Sequence, residues 1–208
     1  MCPQWVALTF PERRRAEVAE LEFDQSVTWR DLEDRLAKTT NPRHRKMLQT
    51  VIDHAKAEAN GDVDGLMATL GSDPQYHFWS AGNDWGPKGA TETRAYYEQF
   101  VASGAGFFES HKPRIVVDDD NVVTESLMRG IVPGQVAQRR GYDVPDVNAH
   151  YLVTARTVIF WPFDESGVLI GEDSYGSSDV TDFERVADDD LPTEYVEMLH
   201  AIGLTPVG

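Results

Sequence analysis

The sequence has few of the residues that build covalent or metal-linked scaffolds. Its single cysteine is Cys2, which excludes a disulfide within the chain and a metal site made of cysteines. The spacings typical of zinc sites, phosphate-cradling loops and dinucleotide-binding glycine motifs are missing as well. We therefore expect a protein with no metal and no cofactor.

Positive charge and long apolar runs are also scarce. The chain of 208 residues has 19 Lys and Arg against 35 Asp and Glu, a net charge of -16. Such an acidic surface repels the phosphates of nucleic acids and anionic membranes, so neither is an expected partner. No stretch approaches the ~20 apolar residues of a membrane span. The first 15 residues lack the pattern of a signal peptide, and we expect a cytoplasmic protein.

Hydrophobic residues nevertheless form 41% of the chain and aromatic residues 10%, enough for one domain with an aromatic-rich interior. Apolar periodicity and capping residues predict helices over 29–38, 43–60, 62–70 and 90–104, the first with Thr28 as N-cap. Alternating or aromatic runs predict strands over 75–80, 107–117, 122–132, 149–161 and 168–176. Helices that precede strands in this order indicate an α+β fold, with helices packed on one face of an antiparallel sheet.

The same pattern divides the chain into three parts. Residues 1–42 are predicted to form an N-terminal arm, residues 43–183 the domain, and residues 184–208 a C-terminal tail with a short helix that starts near Thr193. Within the domain, residues 133–148 are predicted to form a long loop.

Three stretches in this order resemble the NTF2-like superfamily, in particular its SnoaL-like branch. They are ANGDVDGLMATLGSD after the long helix, YHFW…GPKGATETRAYYEQFV, and the closing hairpin VIFWPFDESGVLIGEDSYG. The resemblance covers roughly residues 43–180. It implies a cone, in which a curved antiparallel sheet packs against three helices around a pocket.

The resemblance also implies an activity. At the level of the fold, the chain is similar to polyketide cyclases, scytalone dehydratase, ketosteroid isomerase and limonene epoxide hydrolase, which share proton transfer without a cofactor on small, hydrophobic, oxygenated molecules. The Asp–Arg–Asp set of limonene epoxide hydrolase is matched here only by Arg156. The resemblance further implies a homodimer, with a trimer as the alternative.

The last hairpin decides which side chains enter the pocket. If its turn centres on residues 164–166, the two residue numbers of each cross-strand pair add up to about 330. Even-numbered residues of both strands then share a face. Both faces are apolar, and the pattern alone leaves the inward face open. The resemblance favours the even face, because Ile170, Glu172 and Ser174 match the family's spacing of an aliphatic residue and two functional ones. Arg156 and Thr154 are then expected in the pocket too.

This orientation predicts an acid–base pair. A neighbouring Arg156 would keep the Glu172 carboxylate ionised while burial raises its pKa, which leaves a base near neutral pH. The guanidinium could also bind a developing oxyanion. The alternative is an inert structural ion pair.

Further aromatic and titratable residues complete the predicted site. His77 is a candidate acid or base, Tyr97 a candidate oxyanion donor, and His54 is expected on the cavity side of its helix. Tyr76, Trp79 and Trp85 are the predicted aromatic contacts of the substrate.

The leading hypothesis from the sequence is a cofactor-independent lyase or isomerase. It would remove a proton from a small aromatic or cyclic oxygenated substrate, with loss of water or of a small carbonyl fragment. The alternatives are a binding module without activity and an accessory assembly subunit, because a fold alone does not fix a function.

Overall fold

The computed structural model of the chain describes residues 21–80, 82–176 and 182–205. The helices are α1 (Val27–Ala37), α2 (Pro42–Ala59), α3 (Val63–Ala68), α4 (Gly89–Ala102), α5 (Gly134–Arg139) and α6 (Thr193–Ala201). The strands are β1 (Leu70–Ser80), β2 (Asn83–Asp84), β3 (Phe108–Val117), β4 (Asn121–Pro133), β5 (His150–Pro162), β6 (Leu169–Gly176) and β7 (Asp182–Val186). None of the helices in these ranges is long and apolar enough to cross a bilayer.

The described strands form one curved, unclosed sheet. Its order is β2-β1-β6-β5-β4-β3, and β7 pairs with the first half of β5, beside β6. β1 and β6 run parallel, whereas all other pairs are antiparallel. The predicted α+β cone, a curved sheet with helices on one face, is therefore confirmed.

Helix α2 anchors the helical layer. The Asn41 side chain accepts hydrogen bonds from the backbone N–H groups of Arg43 and His44 and so caps the helix. Apolar residues at helical spacing, including Met47 and Val51, are fully buried against the sheet. This face of α2 forms one side of the interior.

The N-terminal arm is partly integrated into the core. Residues 1–20 of the predicted arm lie outside the described residues, but α1 follows and its Leu32 is fully buried in the cluster that contains Met47 and Trp161. The predicted N-cap is wrong, because α1 begins after Ser26 and Thr28 lies buried in its first turn.

Three further elements were not predicted, and one of them is the two-residue strand β2 (Asn83–Asp84). The predicted loop over 133–148 contains α5, whose Val136 and Ala137 are buried against β4 and β5. Strand β7 pairs with β5 over Asp182–Val186. The predicted helix of the tail is present as α6.

The last hairpin contains a bulge that changes its register. Next to the turn, Phe163 bridges Leu169, but further on Phe160 pairs with Asp173. Between these two pairs, two residues of β5 thus face three residues of β6. Because side chains alternate between faces, the extra residue reverses the relation between odd and even positions of the two strands.

Candidate active site

A cavity of about 580 Å³ lies between the sheet and the helices. Its walls are mostly apolar and include Val51, Ala55, Phe78, Tyr96, Phe100, Phe108, Met128, Val132, Val136, Val153, Ile159 and Trp161. Polar side chains on the wall include Thr28, Glu58, Tyr97, Ser110, Lys112, Ser126, Thr157, Glu172 and Ser174. The volume suits a ligand of small-molecule size in a largely apolar setting.

The bulge splits the predicted hairpin site in two. Glu172 and Ser174 face the cavity as expected, but the odd residues of β5 line it instead of the even ones. Arg156 therefore lies on the outer face, where its guanidinium is 2.6 Å from the Glu125 carboxylate. Thr154 does not line the cavity either. The predicted contact between Arg156 and Glu172 is wrong.

Glu172 lies deep in the cavity. Only 9% of the residue is exposed, and none of the described residues donates a hydrogen bond to its carboxylate. Burial, with a smaller contribution from the negative charge of Glu58, raises the pKa of Glu172 well above its usual value. Burial therefore favours the protonated form of Glu172 over the carboxylate.

Glu58 is the second carboxyl group of the cavity, and the sequence analysis missed it. It lies on the face of α2 that also carries Val51 and Ala55. Burial raises its pKa to about 7, while the ammonium group of Lys112 opposes the shift. An acidic residue on the apolar face of a helix was the signal in the sequence that could have identified it.

Lys112 supplies a buried positive charge to the cavity and holds two elements together. Its Nζ donates to the backbone oxygens of Thr28 in α1 and Ser110 in β3, and lies 3.3 Å from Ser110 Oγ. Burial lowers the pKa of Lys112 to about 8, although Glu58 partly offsets this shift. Since its donors are taken up by the protein, Lys112 acts on a ligand through its charge.

Tyr97 lies at the end of a chain of hydrogen bonds that begins at Thr69. Thr69 Oγ1 donates to the Leu66 carbonyl at 2.6 Å, so its oxygen accepts from His54 Nδ1 at 2.8 Å. His54 Nε2 is then an acceptor, and the Tyr97 hydroxyl lies 3.3 Å from it. Burial lowers the pKa of His54 to about 3, which keeps the imidazole neutral.

These contacts change the role expected for Tyr97. Its hydroxyl donates to Tyr76 OH at 3.3 Å and lies 3.3 Å from His54 Nε2, so its one proton is taken up within the protein. Tyr97 lines the cavity, where it presents an acceptor and not the predicted oxyanion donor. His54 and Tyr76 lie behind it and do not line the cavity.

The other predicted site residues lie outside. His77 Nδ1 is 2.7 Å from the Asp84 carboxylate, and its ring stacks on Trp79 on the outer face of β1. Trp79 is 39% exposed and Trp85 70% exposed. None of these three residues lines the cavity, so the expectation that they contact a ligand there is wrong.

Two hydroxyl groups on the cavity wall lack protein partners. Thr28 Oγ1 and Ser126 Oγ are buried and make no hydrogen bond with any described residue. A buried hydroxyl without a partner is unfavourable by about 1–3 kcal/mol. Both groups are therefore available to an oxygen-bearing ligand.

The cavity thus holds two carboxyl groups whose protonation depends on neighbouring charges. Lys112 favours the ionised form of Glu58, and Glu58 in turn disfavours the ionised form of Glu172. Two titratable groups whose pKa values are pushed apart are typical of acid–base sites. Among the residues described, no group of three or more His, Cys, Asp or Glu side chains could hold a metal ion.

Comparisons with known proteins identify the fold. No protein-family model and no curated protein matches the sequence. The structure is similar to a protein from Shewanella denitrificans OS-217 described as a SnoaL-like polyketide cyclase, at 15% identity and a TM-score of 0.54, covering 65% of this chain and 93% of that one. A protein from Jannaschia sp. CCS1 with the same description is similar at 18% identity and a TM-score of 0.53, covering 67% and 90%.

A third solved structure, an NTF2-like protein from Anabaena variabilis ATCC 29413, is similar at 12% identity and a TM-score of 0.50. The match covers 68% of this chain and 96% of that one. These likenesses confirm, at the level of the fold, the predicted resemblance to NTF2-like proteins and their SnoaL-like branch.

Proposed function

We propose that this chain with the NTF2-like fold is a cofactor-independent lyase or isomerase that acts on a small cyclic or aromatic oxygenated molecule. The observation that carries the proposal is the pair of cavity carboxyl groups, Glu58 and Glu172, with pKa values raised to different extents. The description of two structural neighbours as polyketide cyclases supports a ligand of this class. A binding module without activity would not need two carboxyl groups held at a cost in an apolar cavity.

The proposed roles follow from the two protonation states. Glu58, with a pKa of about 7, takes a proton from a carbon atom next to a carbonyl group. The electron pair forms a C=C bond, and the C–O bond of a β-hydroxyl group breaks. Glu172 gives its proton to the departing oxygen, which leaves as water. If no leaving group is present, the same two groups move a proton from one carbon to another and the reaction is an isomerisation.

The cavity wall favours a substrate with a ring. Phe78, Tyr96 and Phe100 form an aromatic cluster on one side, with Phe78 and Tyr96 ring centroids 5.2 Å apart. Thr28 and Ser126 offer hydroxyl groups to substrate oxygens at a deeper position. A flat ring would pack on the aromatic side, and its carbonyl would be polarised by the hydroxyl groups and the charge of Lys112.

The test uses β-hydroxy ketones of one and two rings, whose dehydration gives enones that absorb in the near ultraviolet. Purified protein without added cofactor should accelerate enone formation. Glu58→Gln and Glu172→Gln should each reduce the rate roughly 100-fold or more, because general acids and bases contribute about this much. Deuterium uptake from D₂O next to the carbonyl, followed by proton NMR, measures the first step separately.

Arg156→Gln is the matched control, because Arg156 lies on the outer face and should leave the rate unchanged. Equal rates in wild type and both Glu variants would refute the assignment of the two carboxyl groups. Loss of activity in Arg156→Gln would show that the reaction does not take place in this cavity.

We also propose that the chain forms a homodimer through the outer face of the sheet. Large apolar side chains lie exposed on neighbouring strands of this face: Trp79, Leu127, Phe160 and Tyr175. A second copy of the same face would cover them, as the resemblance to NTF2-like proteins implies. Light scattering after size exclusion should give twice the mass of 23.3 kDa; a monomer at all concentrations would refute this proposal. The cytoplasmic location stays a prediction.

A further inference from the structure

Two arginines lie on the cavity wall at its solvent-exposed side. Arg139 is the last residue of α5 and Arg140 is its C-cap, and both line the cavity although they are exposed to solvent. Their helix packs near Val153 of β5, whereas Glu172 lies beside the segment of β5 that contains Trp161. Val153 and Trp161 are eight residues apart, or about 26 Å along an extended strand. The exposed arginines therefore mark the mouth of the cavity, and Glu172, only 9% exposed, lies further in.

Neither arginine forms an ion pair or a side-chain hydrogen bond with another residue that the structure describes. Arg114, Arg129 and Arg156, by contrast, each pair with a carboxylate. Two unpaired arginines at one opening are notable in a chain with a net charge of -16.

Helix α5 holds the two arginines in place. Val136 and Ala137 are 5% and 0% exposed, and the backbone N–H of Arg140 bonds to the carbonyls of both. Tyr96 of α4 lines the same cavity. Burial raises the pKa of its hydroxyl, the charges of Glu172 and Glu58 add to this rise, and the charge of Arg140 opposes it. Arg140 is therefore within electrostatic reach of the aromatic side of the cavity.

We propose that the substrate carries a carboxylate, which Arg139 and Arg140 bind at the mouth while the ring system enters the cavity. Guanidinium groups match the planar geometry of a carboxylate. The inner carboxyl groups favour the same orientation, because an anion at the inner end would meet Glu58 and Glu172. This inference rests on the proposed function, since it names the substrate class of the same cavity.

The test is a binding measurement that does not depend on turnover. Isothermal titration calorimetry compares 2-naphthoate with the neutral 2-naphthamide on wild type and on the double variant Arg139→Gln/Arg140→Gln. Wild type should bind the carboxylate more tightly than the amide. The double variant should lose roughly tenfold in affinity for naphthoate, or about 1.4 kcal/mol, because both charge pairs are exposed to solvent and therefore weak. It should bind naphthamide as wild type does.

The double variant Arg35→Gln/Lys38→Gln is the matched control. It removes two exposed positive charges from the last turn and C-cap of α1, away from the cavity wall. This control should keep the preference for naphthoate, which would separate local binding from a general change of net charge.

The outcomes distinguish this inference from the proposed function. Equal affinities for both probes in wild type, or an unchanged preference in the Arg139/Arg140 variant, would overturn the carboxylate proposal and leave the cavity as a ligand site. Absence of binding for both probes would overturn the inference together with the proposed ring-binding cavity.

Discussion

Replacement of Glu58 by Gln tests the electrostatics of the cavity without any knowledge of the substrate. In the folded protein, the pKa of Glu58 is about 7, compared with 4.5 for the free side chain. The folded state therefore holds a proton that the unfolded state has already released between these two pH values. Stability is unaffected well below pH 4.5, falls as the pH rises through this window, and levels off above pH 7.

The size of the effect follows from the shift. A difference of about 2.5 pKa units between the folded and the unfolded state corresponds to about 3 kcal/mol at pH 8. At pH 5.5, one pH unit above the pKa of the unfolded side chain, the loss of stability caused by Glu58 is only about 1.4 kcal/mol. Gln has the same shape and no charge. Glu58→Gln should thus be more stable than wild type, with a gain that grows by roughly 2 kcal/mol between pH 5.5 and pH 8.

Both figures are upper bounds, because Glu58 keeps some contact with solvent and its removal also takes away the attraction to Lys112. Urea unfolding followed by tryptophan fluorescence at pH 5.5, 6.5, 7.5 and 8 measures the change. Glu98→Gln on the exposed side of α4 removes the same charge and should stay within about 0.5 kcal/mol of wild type. A gain for Glu58→Gln that is absent, or that shrinks as the pH rises, would refute the buried carboxyl pair.

Two further changes test the packing that positions the site. Gly171→Ala should destabilise the protein by more than about 2 kcal/mol, since a Cβ at this position would lie 1.8 Å from the Gln75 carbonyl oxygen. The control is Gly176→Ala, because a Cβ at Gly176 would meet open space. Similar urea midpoints for the two variants would contradict the β1–β6 contact. Leu32→Ala should cost about 2–5 kcal/mol in the same assay, and a loss below about 1 kcal/mol would show that α1 is not part of the core.

Local patterns in the sequence were sufficient for most of the elements. The spacing of Met47, Val51 and Ala55 predicted α2, because the period of a helix is a local property. The same spacing also places Glu58 on the apolar face of that helix, and this acidic residue was a signal for the site that the sequence analysis did not use. The short α5 was missed, as six residues between Pro133 and Arg140 carry too little periodicity to reveal a helix.

The composition of the site depended on contacts that are distant in the sequence. A single extra residue between Leu169 and Asp173 placed Arg156 outside and left Glu172 inside. His77 shows the same effect on β1, where it faces outward and pairs with Asp84. Neither result could be read from alternation, because both faces of these strands carry apolar residues.

The sequence by itself determined most of the helices and strands and their order, and through them the α+β class, because these features follow from the spacing of apolar residues along short stretches. The cone was implied by the resemblance to NTF2-like proteins. Only the tertiary structure decided which charged groups share the cavity. Glu58 meets Glu172 and Lys112 because α2, β6 and β3 converge there, and a bulge of one residue sets the face that each strand turns inward. A one-residue change of register moves every side chain of a strand to the opposite face, so no local pattern can fix the site.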